Sequence, residues 1–169
     1  MGAQRINDTT AAALDDILPF SSVVLISGSA NYDELRALTP QDDDRFQLHA
    51  FVSGGMATML GAADVVVARA GATTILELAA LAKPTILIPN AYLTGGHQLK
   101  NAKVYADKGA VEIIDEDDLM ENPNLLATAL KGLLRDTNKR TAMTKAFAAF
   151  SKPHAAAEMV NIIEKAIKK

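Results

Sequence analysis

Asp64-Val65-Val66-Val67-Ala68-Arg69-Ala70-Gly71-Ala72-Thr73-Thr74-Ile75-Leu76-Glu77-Leu78-Ala79-Ala80 runs from an apolar, β-branched stretch through a turn of small residues into a helical pattern. That is the strand–turn–helix unit of a parallel α/β sheet. Gly71 and Ala72 carry little side chain, so a ligand can approach the backbone closely. The helix that follows offers unpaired N–H groups and the positive end of its dipole, which suits a diphosphate. Turns at the carboxyl ends of parallel strands are where such sheets bind ligands. A second reading needs no ligand. Thr74-x-x-Glu77 has the form of a capping box, in which the two side chains satisfy the helix's own N–H groups. Arg69, at the strand end, fits a surface ion pair equally well. The local pattern leaves both readings open.

The alternation continues on either side. Val23–Ile26, Phe46–Val52, Thr85–Ile88 and Val111–Ile114 are short apolar runs bounded by Gly, Pro, Ser or Asp, and with Val65–Val67 they predict five strands. Nearly continuous apolar strands imply a sheet covered on both faces, hence parallel. Helical patterns lie between them: Asp8–Leu18, with Asn7 or Asp8 as a cap, Tyr32–Leu38, Met56–Ala62, Thr74–Leu81, and Gln98–Lys108 closed by Gly109. After Ile114 only helices follow, over Asn124–Arg135, Asn138–Phe150 and His154–Lys168. The acidic stretch Asp115–Asp118 reads as a solvated loop. The expected fold is α/β: a doubly wound, Rossmann-like parallel sheet of about five strands with C-terminal helices. Residues 1–169 are expected to form one domain, with 115–169 as its mostly helical part.

A second segment bears on chemistry. Lys83-Pro84-Thr85-Ile86-Leu87-Ile88-Pro89 ends in a Pro/Gly loop, and His97-Gln98 then stands at the mouth of a helix. Glutamine can donate and accept at once, which suits sugar hydroxyls. An ordinary helix start with a polar cap explains the same residues. The two loops follow consecutive strands, so they should lie side by side, one suited to an anion and the other to hydroxyl groups.

Composition narrows the classes. The 169 residues are 49% apolar, enough for a packed core. A net charge of −3 argues against nucleic acid as partner, because no basic excess exists to neutralise phosphates. The chain has no cysteine, so thiolate catalysis, thiolate metal sites and disulfides are excluded, and a reducing cytoplasm fits. No apolar run approaches the roughly 18 residues of a membrane span. Asp42-Asp43-Asp44 resembles a divalent-metal motif but lies in a polar loop, and is read as solvated. His49 and His154 are isolated and are read as structural or surface residues. No Gly-x-Gly-x-x-Gly is present, which argues against a dinucleotide-binding domain.

The two segments resemble the donor-binding signature of glycosyltransferase family 28, the MurG-like enzymes of the GT-B class. That family shows an Arg-(small)-Gly-Ala-x-Thr-x-x-Glu turn, then a strand ending in Pro and a His-Gln or Gln-Gln pair ahead of an Asn-Ala helix. Arg69, Gly71, Ala72, Thr74, Glu77, Pro89, His97, Gln98 and Asn101 match it. Met1–Asn7 is similar to the tail of the family's glycine-rich loop, and Phe51-Val52 followed by Met56 to its uracil-facing loop.

The resemblance implies the C-terminal half of an inverting transferase. That enzyme moves N-acetylglucosamine from its UDP derivative to the undecaprenyl-linked muramyl-pentapeptide of peptidoglycan synthesis. It implies that Glu77 meets the ribose hydroxyls, that Ala72, Thr73 and Thr74 hold diphosphate and sugar, and that His97 and Gln98 read the sugar. Arg69 and Gly71 belong to the same turn, Val52 meets uracil through its backbone, and Gly2 faces the phosphates. No metal or other cofactor is implied. The family's first strand, its Gly-Gly-Ser and its N-terminal domain, which holds the lipid acceptor and the base, are absent from the sequence. A fragment or separately encoded half is therefore expected, inactive alone. It would work in the cytoplasm, and peripherally at the inner membrane face once joined to its acceptor half. Two rival readings are a UDP-sugar epimerase half and a non-catalytic module that binds a nucleotide sugar or a protein.

The lost first strand would have stood between Val23–Ile26 and Val65–Val67. Unpaired backbone buried there would cost about 1–3 kcal/mol per group. Direct closure of the two strands, giving an order 3-2-4-5-6, is the expected repair. A strand from a second copy is the alternative.

Overall fold

The computed structural model of the protein describes residues 4–90, 96–122 and 124–167. The chain runs α1 (Gln4–Ala12), α2 (Leu14–Ile17), β1 (Val23–Ile26), α3 (Tyr32–Leu38), β2 (Phe46–His49), α4 (Met56–Ala62), β3 (Val66–Ala68), α5 (Ala72–Ala80), β4 (Thr85–Leu87), α6 (His97–Ala106), β5 (Glu112–Ile113), α7 (Glu116–Glu121), α8 (Asn124–Arg135), α9 (Thr137–Ala148) and α10 (Ala155–Ile167). The α/β class and the C-terminal helices are as expected, and all the strand pairs are parallel.

The single sheet is not. Among the described residues the strands form two sheets, β1-β2 and β3-β4-β5, and β1 does not pair with β3. In the first sheet Val23 stands opposite Phe46 and Ile26 opposite His49. In the second, Val66 stands opposite Thr85 and Ile86 opposite Glu112. The expected closure therefore fails, and the N-terminal helices show why. Ile6 of α1 is buried in the cluster of Ile86, Ile88 and Ile114 beside the second sheet. Leu14 and Leu18 pack with Leu25, Leu35 and Phe46 of the first. Each fully buried side chain of this kind is worth about 1.5–3 kcal/mol. Bringing the two edges to the spacing of paired strands, about 4.8 Å, would shear one set of contacts or the other. The opposing penalty is small, because Val24 of β1 is exposed and β3 is half-buried along its length, so water can reach the edges that lack a strand partner among the described residues.

Three local expectations are also revised. The helix expected over Asp8–Leu18 starts earlier, at Gln4, and breaks into α1 and α2. Asn7 is consequently no cap. It lies inside α1, 1% exposed, and its Nδ2 donates to the Ser27 carbonyl at the end of β1 over 2.9 Å. The strand predicted over Phe46–Val52 stops at His49. Asp115–Asp118 is the start of a helix rather than a loop: Asp115 caps α7 by accepting from the Asp117 N–H, and acidic residues suit the first turn.

The centre of the second sheet is β4, buried at all three positions. Ile75, Leu78 and Ala79 of α5 cover it together with Phe147 of α9. This packing fixes the direction of α5, and so aims its N-terminus at the carboxyl ends of β3 and β4. At the other extreme, α10 buries none of its residues, and Met159, Val160, Ile162, Ile163 and Ile167 form an exposed apolar stripe.

Candidate functional site

The turn between β3 and α5 is open and uncapped. Gly71 is the N-cap residue, with φ −70° and ψ 137°, and makes no side-chain cap hydrogen bond. The first intrahelical bond runs from the Ile75 N–H to the Gly71 carbonyl at 2.9 Å. Among the described residues, nothing accepts from the N–H groups of Ala72, Thr73 and Thr74. Such a first turn keeps its donors and its partial positive charge for a ligand. Thr74 is the third residue of the helix, not its cap, so the capping box does not form. Ala72, Thr73 and Glu77 are exposed, and Gly71 and Thr74 are half-buried.

The neighbouring loop, after β4, is anchored to the same end of the sheet. The Ile88 N–H donates to the Ala68 carbonyl at 2.9 Å, carrying the pairing of β3 and β4 up to the loops. Residues 91–95 lie outside the described part of the chain. Beyond them His97 opens α6 with its side chain exposed. Gln98 is half-buried, and its Oε1 accepts from the Asn90 N–H at 3.0 Å. That bond fixes the amide and leaves its NH2 as donor.

Arg69 turns away from a purely surface role. Its side chain is 14% exposed, and Nη1 donates to the Ile88 carbonyl at 3.1 Å. Nη2 contacts Oε1 of Glu116, a residue 1% exposed. Glu116 Oε2 lies 3.4 Å from Nη1 of Arg5, which sits on α1. The two groups form an ion pair, and Oε2 has no hydrogen-bond donor among the described residues. Arg69 therefore joins the ends of β3 and β4 to the start of α7.

Of the other residues singled out, Val52 is half-buried in the loop after β2, in the other sheet, and Gly2 lies outside the described residues. Asp43 of the acidic triplet is clasped by Arg45, with Oδ2 to Nη2 at 2.7 Å and Oδ1 to Nε at 3.0 Å. The Arg45 side chain and backbone N–H hold that carboxyl down at about 2. Sequence reasoning overlooked Glu116, Asn90 and Arg5. For Glu116 a signal existed: Asp115 followed by an acidic turn and Leu119 has the pattern of a capped helix start.

Fold and site together define an α/β domain with parallel strands and, at the carboxyl end of β3, a helix start that carries no side-chain cap. Residues 1–159 match the glycosyltransferase family 28 C-terminal domain, and the chain belongs to that family. It is 32% identical over 174 residues to the UDP-N-acetylglucosamine–N-acetylmuramyl-(pentapeptide) pyrophosphoryl-undecaprenol N-acetylglucosamine transferase of Natranaerobius thermophilus, covering 98% of this chain and 46% of that enzyme. It is 35% identical over 171 residues to the enzyme of the same name from Bacillus cytotoxicus, covering 99% and 46%. The chain thus spans about half the length of the curated relatives it matches. The crystal structure of MurG from Acinetobacter baumannii superposes with a TM-score of 0.81 at 24% identity, over 98% of this chain and 47% of that one. The glycosyltransferase VinC, in complex with dTDP, gives 0.67 at 19% identity, over 92% and 37%. These two structures speak to the fold. Among the described residues no helix is long and apolar enough to cross a membrane.

Proposed function

We propose that this chain is the donor-binding half of an inverting N-acetylglucosaminyltransferase, and that its ligand is UDP-N-acetylglucosamine. The observation that carries the reading is the uncapped first turn of α5, whose free N–H groups face the carboxyl end of β3. The names of the curated relatives supply the substrate class. In this reading Ala72, Thr73 and Thr74 hold the diphosphate through backbone donors. Glu77, exposed one turn along the helix, accepts from the ribose hydroxyls. His97 and the Gln98 NH2 address the sugar, the Val52 backbone meets uracil, and Gly2 lies beside the phosphates.

The chemistry follows from placing the leaving group on a helix dipole. An acceptor hydroxyl attacks the anomeric carbon, a base in the complementary half takes the hydroxyl proton, and the bond to the β-phosphate oxygen breaks. Negative charge develops on UDP, where preorganised N–H donors stabilise it. The lipid-linked acceptor is bound by the complementary half, at the inner face of the membrane, so this chain alone is inactive.

Calorimetric titration of the chain with UDP-N-acetylglucosamine, UDP-glucose and ADP-glucose tests the reading. Binding should be weak, and ordered in that sequence. Equal affinity for ADP-glucose, or transfer to a lipid acceptor by the purified chain, would overturn it.

A further inference from the structure

Glu116 takes no part in the expected site, yet it is among the most buried charged side chains described. It starts α7, the helix that follows β5, and the Asp115 cap fixes where that helix begins. Its carboxylate contacts Arg69 and pairs with Arg5. Arg69 lies two residues before Gly71 and donates to the Ile88 carbonyl, two residues before Asn90, which in turn holds Gln98. The carboxylate is thus linked through Arg69 to the start of α5 and to the end of β4. It also reaches α1, which Asn7 ties to the end of β1 in the other sheet.

We infer that Glu116 is a positioning residue for the donor site, locking Arg69 so that the Ala70–Thr74 turn and the hydrogen-bonded pair Asn90 and Gln98 keep one relative placement. The physical argument is directional. Arginine holds a planar fork of donors, and a carboxylate with a carbonyl oxygen on that fork fixes its plane as well as its distance. Arg69 sits on the short link between β3 and α5, so fixing its plane restricts the backbone that presents the Gly71–Thr74 N–H groups. A buried ion pair is weak support for overall stability, because desolvation offsets the attraction. Its effect here is on geometry. Glu116 touches no ligand and acts only through Arg69.

This inference rests on the donor-site reading for its consequence in binding, but not for its consequence in motion. The test uses Glu116→Gln, which keeps the shape and loses the charge, and Glu116→Asp, which keeps the charge and falls one methylene short of Arg69. Should Glu116→Gln fail to fold, Glu116→Asp carries the test. Hydrogen exchange should accelerate at least tenfold for the hydrogen-bonded amides of Ile75, Ile88 and Asn90 in either folded variant. Exchange in α8 and α9 should stay within about twofold. Uridine diphosphate affinity, measured on the same samples, should fall about tenfold. Unchanged local exchange in a folded variant overturns the inference, and so does uniform acceleration throughout, which marks a merely structural role. If the unaltered chain binds no uridine diphosphate, the donor-site reading fails, while the exchange result still decides whether Glu116 holds the turn.

Discussion

The side-chain carbonyl of Gln98 accepts from the backbone N–H of Asn90 across the loop after β4, at 3.0 Å. One half of the amide is thereby structural and the other half is left to donate. Gln98→Glu separates the two, since a carboxylate still accepts from Asn90 but cannot donate. Its melting temperature should stay within a few degrees of the unaltered chain, because the anchoring bond survives. Affinity for UDP-N-acetylglucosamine should fall by about 1–3 kcal/mol, and by less for UDP, which lacks the sugar. Equal losses for both ligands in calorimetry would remove Gln98 from sugar recognition.

Glu77 is exposed and caps nothing, because the helix it belongs to starts at Ala72. Glu77→Ala should therefore leave thermal stability within about 0.5 kcal/mol, the usual range for a surface change. It should weaken UDP binding by about 1–2 kcal/mol through the lost ribose hydrogen bonds. The reverse outcome, lower stability with unchanged binding, would return Glu77 to a purely helical role.

Gly71 is not required by backbone strain. Its φ of −70° suits any residue, and among the described residues an added Cβ would meet only Thr74 Oγ1, at an ordinary 3.7 Å. Gly71→Ala should fold normally. The methyl would stand at the mouth of the uncapped turn, so diphosphate affinity should drop roughly tenfold, about 1.4 kcal/mol. Undiminished UDP affinity in this variant would show that the ligand does not approach the backbone there.

Asp43 ties stability to acid. Arg45 holds its carboxyl at about 2 against an ordinary 3.8, and the same Arg45 reaches the Leu18 carbonyl at the end of α2 through Nη1, at 2.9 Å. A lowered carboxylate stabilises the fold above its unfolded value and loses that contribution as pH falls through its folded one. The Asp43 contribution should be complete above pH 3.8 and fade toward about pH 2. Urea unfolding of Asp43→Asn should show a shallower decline over that window, with both curves converging at its acid end. Parallel curves would mean that the clasp adds nothing.

The sequence by itself determined the element types and most of their ends. Tyr32–Leu38, Met56–Ala62 and Asn124–Arg135 form as their patterns predict, because apolar spacing and flanking Pro, Gly and Asn act within a few residues. The small-residue turn at Ala70–Ala72 was legible for the same reason. What lay beyond the sequence concerns partners far apart along the chain. Whether Thr74 or Gly71 caps α5 depended on how the helix packs on β4, and that choice decided between a self-satisfied cap and an open donor turn. The run Asp115–Asp118 looked uniformly solvated, yet packing turned Glu116 inward to meet Arg69, 47 residues earlier. The split into two sheets had no local signature either. It arises because α1 and α2 anchor their apolar residues on both sheets, and burial summed over distant contacts outweighs the gain from one more pair of strand edges.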